Sequence, residues 1–335
     1  MRAATYTAGE PALVIADVAD PTPAPDVLVL RVDACGICGS DLHMAHNRHA
    51  RRGTVFGHEF SGTVVGIGRD VRDLREGDRV VGFPLAGCGT CAACAEGLPS
   101  RCARALLTGA QTPGAYAELV ALAERDAYRL PDELSADLGA LVEPLAVARH
   151  ALELSPRDPG EPVLVLGGGP VGLAVALWAR ALGARQVVVT DPVARRRALA
   201  EAIGVAVVDP ATDDVGTAFG DIAGAPPRAI VECIGRPGAV EHATAVAAPG
   251  AHVTFAGACA VPDTFRPITA TMKELTLHFA VYYRRSDFTH TIDALVAREL
   301  DPSPLVTAHV NLDELPDRFE ALLGINDDCK VLVTP

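Results

Sequence analysis

The pattern of hydrophobic and polar positions changes once along the chain. Up to about residue 135, short segments of alternating apolar and polar residues lie between Gly, Pro and Asp turns, a pattern typical of antiparallel β-strands. The predicted strands in this part cover residues 27–32, 62–68, 78–82 and 114–120. Short strands separated by such turns predict a compact, barrel-like β domain.

Beyond a predicted helix at 138–154 and a connector at 156–162, the apolar residues are arranged differently. Residues 163–166 are uninterrupted Val and Leu, as in a parallel strand that is covered on both faces. Alternating strands and helices then predict an α/β domain with a parallel sheet. The predicted strands are 186–190, 229–235, 251–257, 275–283 and, near the end of the chain, 330–334; the predicted helices are 173–182, 287–299 and 312–323.

A glycine-rich turn follows the first of these apolar strands. Gly167, Gly169 and Gly172 form G-x-G-x-x-G before a predicted helix, and the next strand ends in Asp191, 22 residues after Gly169. This order is the dinucleotide-binding arrangement, in which the glycines permit a tight turn and the close approach of the pyrophosphate to the helix N-terminus. The predicted cofactor-binding residues are Gly167, Gly169, Pro170, Val171, Gly172 and Asp191.

The surroundings of Asp191 bear on which nicotinamide cofactor is used. Its carboxylate can accept hydrogen bonds from the adenosine ribose and repels a 2′-phosphate, which favours NAD over NADP. Arg195, Arg196 and Arg197 follow closely, and Arg196 is assigned as a further cofactor-binding residue. An arginine here can meet a 2′-phosphate; the alternative is that all three form the exposed start of the next helix.

Thiol, imidazole and carboxylate side chains lie close together within residues 35–59, in C-G-I-C-G-S-D-L-H and F-G-H-E. These are ligands of zinc, and a catalytic zinc has three protein ligands and one open position. We assign Cys38 and His58 as two ligands and Glu143, in L-V-E-P-L-A, as the third. The alternative for Glu143 is an acid in the first turn of a helix, where the helix dipole favours it. Cys35 is interpreted as a buried apolar residue.

Four cysteines form a second group in G-C-G-T-C-A-A-C-A-E-G-L-P-S-R-C. Four thiolates close a tetrahedral shell, so Cys88, Cys91, Cys94 and Cys102 predict a structural zinc that holds a loop of low hydrophobic content. An iron–sulfur cluster and a set of unrelated cysteines are the alternatives. The chain has nine cysteines, an odd number in a large protein, which indicates metal binding in a reducing compartment.

The composition narrows the range of partners. A formal net charge of −13 argues against nucleic acid or an anionic membrane surface as a general partner. The sequence shows no N-terminal signal and no apolar stretch of about 18 residues or more, so we expect a cytoplasmic protein.

Five motifs together resemble one enzyme family. C-G-I-C-G-S-D-L-H, G-H-E-F-S-G, the four-cysteine segment, V-E-P-L-A and G-G-G-P-V-G-L occur in the order found in zinc-dependent medium-chain alcohol and polyol dehydrogenases. The resemblance implies a GroES-like β domain, a Rossmann domain, two zinc ions per chain, and a homodimer or homotetramer. Glu143 at the position of a cysteine ligand resembles the butanediol, sorbitol and threonine dehydrogenase branch, which implies a secondary alcohol or polyol substrate.

We therefore expect two domains, which a chain of 335 residues favours. Residues 1–150 are predicted to form the catalytic, zinc-binding β domain, and residues 285–335 to return to it. Residues 151–284 are predicted to form the Rossmann domain that binds NAD.

The resemblance also implies roles for polar residues near the catalytic metal. Ser40 would take the proton of the alcohol, and His43 would pass it to solvent. Asp41 would bond the free nitrogen of His58 and set its tautomer. Glu59 would be a similar partner or an alternative ligand. Asp41 as a turn residue and His43 as a surface histidine are the alternatives.

A basic segment, H-N-R-H-A-R-R at residues 46–52, follows these residues. The resemblance implies that it forms part of the substrate cleft. We hypothesise that Arg48, Arg51 or Arg52 meets a polar or anionic group of the substrate; the alternative is a solvated loop.

These features predict a zinc-dependent oxidoreductase that oxidises a small secondary alcohol or polyol to a ketone by hydride transfer to NAD. An epimerase or lyase with transient oxidation is one alternative, and a non-catalytic NAD-binding protein is another. The set Cys38, Ser40, His43 and His58 argues against the binding protein, which has no use for a proton relay.

Overall fold

The structure, a computed structural model, describes residues 1–324 and 326–335. The chain forms two compact units. Unit 1 comprises Met1–Glu143, Arg284–Ala297 and Val306–Pro335, and unit 2 comprises Pro144–Tyr283 and Arg298–Leu305. Among the described residues, no helix combines the length and the apolar character needed to cross a bilayer.

The strands of the described part of the chain are β1 Arg2–Tyr6, β2 Leu13–Asp17, β3 Val27–Gly36, β4 Glu59–Ile67, β5 Arg79–Gly82, β6 Leu85–Ala86, β7 Leu106–Leu107, β8 Leu119–Ala123, β9 Ala127–Arg129, β10 Val163–Leu166, β11 Val187–Thr190, β12 Ala206–Val208, β13 Ala229–Glu232, β14 His252–Phe255, β15 Thr276–Phe279, β16 Val306–Asn311 and β17 Lys330–Thr334.

The α-helices of the same residues are α1 Gly39–His46, α2 Ala92–Ala95, α3 Ala136–Ala140, α4 Val142–Glu153, α5 Pro170–Ala181, α6 Ala194–Ala202, α7 Val215–Ala223, α8 Ala239–Val246, α9 Pro267–Met272, α10 Arg285–Val296 and α11 Leu315–Leu323. Short 3₁₀ helices lie at Pro99–Arg101, Glu124–Asp126 and Ser303–Leu305.

The main sheet of unit 1 is built on β3. This strand pairs antiparallel with β4, β8 and β17, and the sheet continues from β4 through β5 to β9. Apolar side chains of these strands pack with Phe56, Phe60 and Phe319 in a buried core. In the pairing of β17 with β3, Leu332 lies opposite Gly36, so the last strand of the chain borders the segment that leads to Cys38.

Unit 2 contains a parallel sheet with the strand order β12-β11-β10-β13-β14-β15. All residues of β10 are buried, as the uninterrupted apolar run predicted. The strand order changes direction between β10 and β13, and in open α/β sheets ligands bind at the carboxyl ends of strands at such a point. The α/β fold with a parallel sheet is therefore confirmed.

Several predicted elements differ in extent from the observed ones; the strand predicted at 275–283, for example, covers only Thr276–Phe279. Where one helix was predicted at 138–154, α3 and α4 are separate helices. The predicted strand 114–120 joins the sheet only from Leu119, because the N–H groups of residues 114–116 donate to carbonyl groups of residues 55–57 instead. Alternation of residue types does not reveal which neighbour a backbone group will bond.

Candidate active site and metal centres

The register of two antiparallel strands brings the predicted catalytic ligands together. β3 and β4 pair with Gly36 opposite Glu59, so Cys38, which follows β3, lies near His58, which precedes β4. Ligand atoms of Cys38, His58 and Glu59 all lie within 4.8 Å of one another. A thiolate, an imidazole and a carboxylate at this separation are a donor set that suits zinc.

Helix α1 begins at this cluster. Cys38 is its N-cap residue, and its Sγ accepts a hydrogen bond of 3.5 Å from the backbone N–H of Ser40. The hydroxyl oxygen of Ser40 lies 3.3 Å from Sγ of Cys38 and 3.5 Å from Nε2 of His58. His43 lies three residues further on, and both Ser40 and His43 are exposed. The serine hydroxyl and an imidazole at the solvent therefore share one face of the helix.

Asp41, the next residue of α1, orients His58. Asp41 is fully buried, and its Oδ1 lies 3.2 Å from Nδ1 of His58. Its other carboxylate oxygen accepts a hydrogen bond of 2.8 Å from the hydroxyl of Tyr116. A proton on Nδ1 beside Asp41 leaves Nε2 free to bind a metal. Sequence reasoning missed Tyr116, because an aromatic residue in a predicted strand gives no sign of a polar contact.

The electrostatic environment of His58 favours positive charge. Burial lowers the pKa of His58, but the charges of Asp41 and Cys38 outweigh burial and raise this pKa well above its ordinary value. Burial and the charge of Asp41 also raise the pKa of Tyr116, which keeps its hydroxyl protonated and able to donate. Because the cluster attracts a cation and presents donors of the right chemistry, its residues fit a zinc ion.

Glu59 forms a buried ion pair that sequence reasoning did not find. Nζ of Lys330 donates to the two carboxylate oxygens of Glu59 at 2.7 and 2.6 Å and to the carbonyl of Ile37 at 3.2 Å. Lys330 is 2% exposed and Glu59 is 1% exposed. Burial lowers the pKa of Lys330, but the Glu59 carboxylate outweighs burial and raises it above its ordinary value. The lysine therefore stays charged.

The cluster of three ligand atoms does not include Glu143. This residue is buried in the first turn of α4. Its role as the third zinc ligand stays a prediction, and Glu59 occupies the third place in the observed cluster. Cys35 is fully buried in the core of unit 1, as its interpretation as an apolar residue required.

Two glycines make room for these side chains. A Cβ atom on Gly36 would lie 2.0 Å from a carboxylate oxygen of Glu59. Gly57 has φ of +95°, and a Cβ atom on it would lie 2.6 Å from the ring of Tyr116. The glycine before His58 is therefore required by both backbone conformation and space.

The four remaining predicted metal ligands also meet in unit 1. Sγ atoms of Cys88, Cys91, Cys94 and Cys102 all lie within 4.8 Å of one another. Zn–S bonds of about 2.3 Å in a tetrahedron give S···S distances of about 3.8 Å, close to the observed 4.0 Å and 3.6 Å of Cys94 to Cys88 and Cys91. The backbone N–H and hydroxyl of Thr90 lower the pKa of Cys88 to about 5, which favours the thiolate that zinc binds.

The glycine-rich turn of unit 2 has the shape that the sequence predicted. Gly167 has φ of +102°, and a Cβ atom on Gly172 would lie 1.8 Å from the carbonyl oxygen of Gly167. Helix α5 begins at Pro170 with Gly169 as N-cap, and no side chain caps its first N–H groups. A Cβ atom on Gly169 would meet no atom within 4 Å. The turn therefore leaves N–H groups and open space, which fits a pyrophosphate.

Asp191 lies directly beside this turn. Its Oδ2 accepts a hydrogen bond of 2.9 Å from the N–H of Gly168, and its Oδ1 accepts one of 2.8 Å from Val193. A guanidinium nitrogen of Arg196 lies 3.6 Å from Oδ2. Arg197 instead pairs with Asp209 at 2.8 Å. Arg197 also donates to the backbone carbonyl of Asp191 at 2.8 Å. Of these two arginines, only Arg196 therefore lies at the carboxylate of Asp191, whereas Arg197 binds its backbone and the carboxylate of Asp209.

Comparison with known proteins establishes the family. The model of the alcohol dehydrogenase GroES-like domain matches residues 24–132, and the model of the zinc-binding dehydrogenase matches residues 170–297. The chain is 33% identical over 319 residues to the 2-dehydro-3-deoxy-L-galactonate 5-dehydrogenase of Pseudoalteromonas atlantica, and the match covers 92% of each protein. The chain therefore belongs to the zinc-dependent medium-chain dehydrogenases, a family of oxidoreductases, and the resemblance seen in its motifs is confirmed.

Solved structures share both units. A zinc-binding dehydrogenase from Sinorhizobium meliloti 1021, bound to NADP, has a TM-score of 0.91 and 31% identity, over 100% of this chain and 99% of that one. An alcohol dehydrogenase from Escherichia coli CFT073, complexed with NADH, has a TM-score of 0.92 and 26% identity, again over 100% and 99%. Similar structures thus bind nicotinamide cofactors, NADP in one and NADH in the other.

The buried ion pair leads to a prediction about stability. Replacement Lys330→Met leaves the Glu59 carboxylate buried without its cation, so we expect the free energy of unfolding of the zinc-loaded protein to fall by about 3–5 kcal/mol. Urea unfolding measures the change. The double variant Glu59→Gln/Lys330→Met removes both charges and should recover most of the loss. Equal stability of the single and double variants would contradict the pairing.

Proposed function

We propose that this enzyme oxidises a secondary hydroxyl group of a polyol or related small molecule to a ketone and transfers the hydride to NAD. The main support is the position of Ser40, whose hydroxyl oxygen lies 3.3 Å from Sγ of Cys38 and 3.5 Å from Nε2 of His58. A hydroxyl next to two metal ligands can reach an alcohol oxygen held at the same metal. The relative from P. atlantica carries the name of a 5-dehydrogenase of a galactonate derivative, which agrees with this reaction type.

Two zinc ions per chain belong to this proposal. Cys38, His58 and Glu143 hold the catalytic ion, and Cys88, Cys91, Cys94 and Cys102 hold the structural ion. Zinc bound at the first site would polarise the alcohol oxygen and lower its pKa. Lys330 donates to both carboxylate oxygens of Glu59. This ion pair favours Glu59 as a partner of the residues that bind the metal over Glu59 as a metal ligand itself.

The proton moves along one face of α1 in this mechanism. Ser40 accepts the proton of the substrate hydroxyl, and His43 passes it to solvent. Asp41, fixed by the hydroxyl of Tyr116, holds His58 in the tautomer that binds metal through Nε2. These residues supply binding, orientation and proton transfer, while the nicotinamide accepts the hydride.

NAD is the proposed cofactor, bound at the glycine turn of unit 2. Asp191 supports this choice, because its carboxylate lies beside Gly168 and would repel a 2′-phosphate. Arg196 opposes this choice, because its guanidinium group is close enough to Asp191 to weaken the repulsion of a 2′-phosphate. We assign unit 1 to catalysis and unit 2 to the cofactor.

We further propose that the enzyme is a homo-oligomer in the cytoplasm. β15 is an edge strand, and exposed apolar residues lie on it and around it: Ile268, Met272, Phe279 and Val281 are each more than half exposed. An apolar edge strand invites pairing with another chain. A second copy fits best, because antiparallel pairing of β15 with itself about a two-fold axis is self-complementary. The described residues contain no disulfide, which supports a reducing compartment.

Zinc content and turnover test the reaction together. We expect about two zinc ions per wild-type chain and accumulation of NADH with secondary alcohols or polyols. Cys38→Ser should lose one zinc ion, and Ser40→Ala should keep both but lower kcat/KM roughly 10²–10⁴-fold. Cys259→Ser, an exposed cysteine outside both clusters, is the control and should match the wild type. Two zinc ions without net NADH on any substrate would contradict the dehydrogenase and favour transient oxidation.

Replacement of the acid beside the glycine turn tests the cofactor. Asp191→Ser should lower kcat/KM for NAD by about tenfold or more, because hydrogen bonds from the ribose to a carboxylate are lost. The ratio of kcat/KM for NADP to that for NAD should rise, since Arg196 is released. Asp213→Ser, at an exposed acid of the same unit, is the matched control. A wild type that prefers NADP would overturn the assignment.

The oligomer proposal is tested by adding charge to the edge strand. Met272→Glu/Phe279→Glu should shift the molar mass in light scattering from that of an oligomer towards that of a smaller species. Val65→Glu/Ile67→Glu changes two exposed apolar residues of unit 1 and should leave the mass unchanged. A wild type with the mass of one chain, or an unchanged mass in the edge variant, would refute the β15 interface.

A further inference from the structure

The basic segment, residues 46–52, has a charge opposite to that of the whole chain. Five of its seven residues are His46, Arg48, His49, Arg51 and Arg52, and it contains no acid. The protein as a whole carries a formal net charge of −13. Like charges so close in sequence create a local positive potential, which attracts anions.

The backbone of this segment is held at both ends by one buried residue. The hydroxyl of Tyr6 donates to the carbonyl of Ala45 at 2.8 Å, where α1 ends. At the other end, the N–H of Gly53 donates to the carbonyl of Tyr6 at 2.8 Å, and the N–H of Tyr6 donates to the carbonyl of Thr54 at 2.8 Å. The backbone that carries the arginines is therefore fixed at both ends.

The arginine side chains of this segment have no partner among the described residues. Arg48, Arg51 and Arg52 are exposed, and none of them forms a hydrogen bond or an ion pair through its side chain with the residues that the structure describes. Other arginines of unit 1 do have carboxylate partners, namely Arg31 with Asp33, Arg129 with Asp78 and Arg318 with Asp328. Three guanidinium groups are thus left available.

The acids nearest in sequence cannot neutralise the segment. Asp41 precedes it and is fully buried between His58 and Tyr116. Glu59 follows it and is buried against Lys330. Both carboxylates are engaged by these buried partners, so neither of them neutralises the arginines.

The segment begins at the last residue of α1, the helix that carries the proposed proton relay. His43 and Asn47 follow Ser40 by three and seven residues, a spacing that places all three on one side of the helix. All three are exposed. From Ser40 to His46, the last residue of α1, the helix rises by about 9 Å, and Arg48 lies two residues beyond that end with φ of +55°. A polyol chain of several carbons and an extended arginine side chain together can span this distance.

We propose that the basic segment binds an anionic group, a carboxylate or a phosphate, at the end of the substrate remote from the oxidised carbon. This inference rests on the proposed polyol dehydrogenase function and names its substrate class. Arginine suits the role, because its planar group binds carboxylate and phosphate through paired, charge-assisted hydrogen bonds. Asn47 lies between the relay and the arginines, where its amide can bond an intermediate hydroxyl of the substrate.

Matched substrates and matched variants test the proposal. NADH formation is followed with hexonates, hexitol phosphates and uncharged hexitols of the same configurations, so that the first two arms distinguish a carboxylate from a phosphate. We expect wild type to favour one anionic arm, with Arg48→Gln/Arg51→Gln/Arg52→Gln lowering its kcat/KM at least tenfold, mainly through KM. The values for the uncharged hexitol should stay within about twofold, because a neutral substrate makes no charge-assisted contact.

A second set of three arginines provides the control. Arg69→Gln/Arg72→Gln/Arg75→Gln removes the same charge from the exposed turn after β4, at the end of that strand opposite Glu59. It should leave both substrate classes unchanged. Added salt should lower the wild-type kcat/KM for the anion and not that for the hexitol, since exposed charges are screened.

The outcomes separate the two proposals. Turnover of hexitols with no preference for either anion, or an equal loss of anion turnover in both triple variants, would overturn the basic segment as a binding site while leaving the dehydrogenase function intact. Absence of NADH formation with every substrate would refute the dehydrogenase function itself.

Discussion

The buried ion pair of Lys330 and Glu59 is the interaction on which the candidate active site depends. Two charges that are 1–2% exposed are stable together only because each neutralises the other. Lys330 also donates to the carbonyl of Ile37, so one side chain ties the last strand of the chain to both segments that carry ligands. Cys38 follows Ile37 and His58 precedes Glu59 directly. The position of the cluster is thus set by a residue that binds no metal.

Negative and positive side chains of unit 1 are concentrated in different regions. Thiolates and carboxylates gather where a cation is expected: Cys38, Asp41 and Glu59 surround His58, and four cysteines meet in the second cluster. Arginines whose side chains have no partner among the described residues follow α1, the helix that carries Ser40 and His43. In the functions proposed above, this helix would lead from the metal site to the site of the anionic group of the substrate.

Much of this protein was predictable because its signals are local. The glycine turn and Asp191 lie within one strand–helix–strand unit, and the four cysteines lie within 15 residues, from 88 to 102. Each depends on the geometry of a short stretch of chain, and both were found in the predicted arrangement. The contact of Asp41 with His58 was also predicted, since a histidine ligand needs a partner for its second nitrogen.

The remaining features depend on which distant segments become neighbours. Tyr116 lies 75 residues from its partner Asp41, and Lys330 lies 271 residues from its partner Glu59. The sequence around a tyrosine or a lysine in a strand does not indicate such a contact. For the same reason the sequence left Glu59 open between two roles, and the tertiary structure decided that it pairs with a buried lysine. The sequence by itself determined the fold class and the short motifs, because these follow from spacing and periodicity, and it determined the family because those motifs resemble the motifs of known members. Only the tertiary structure decided the long-range partners, because burial and charge compensation exist only once the chain is folded.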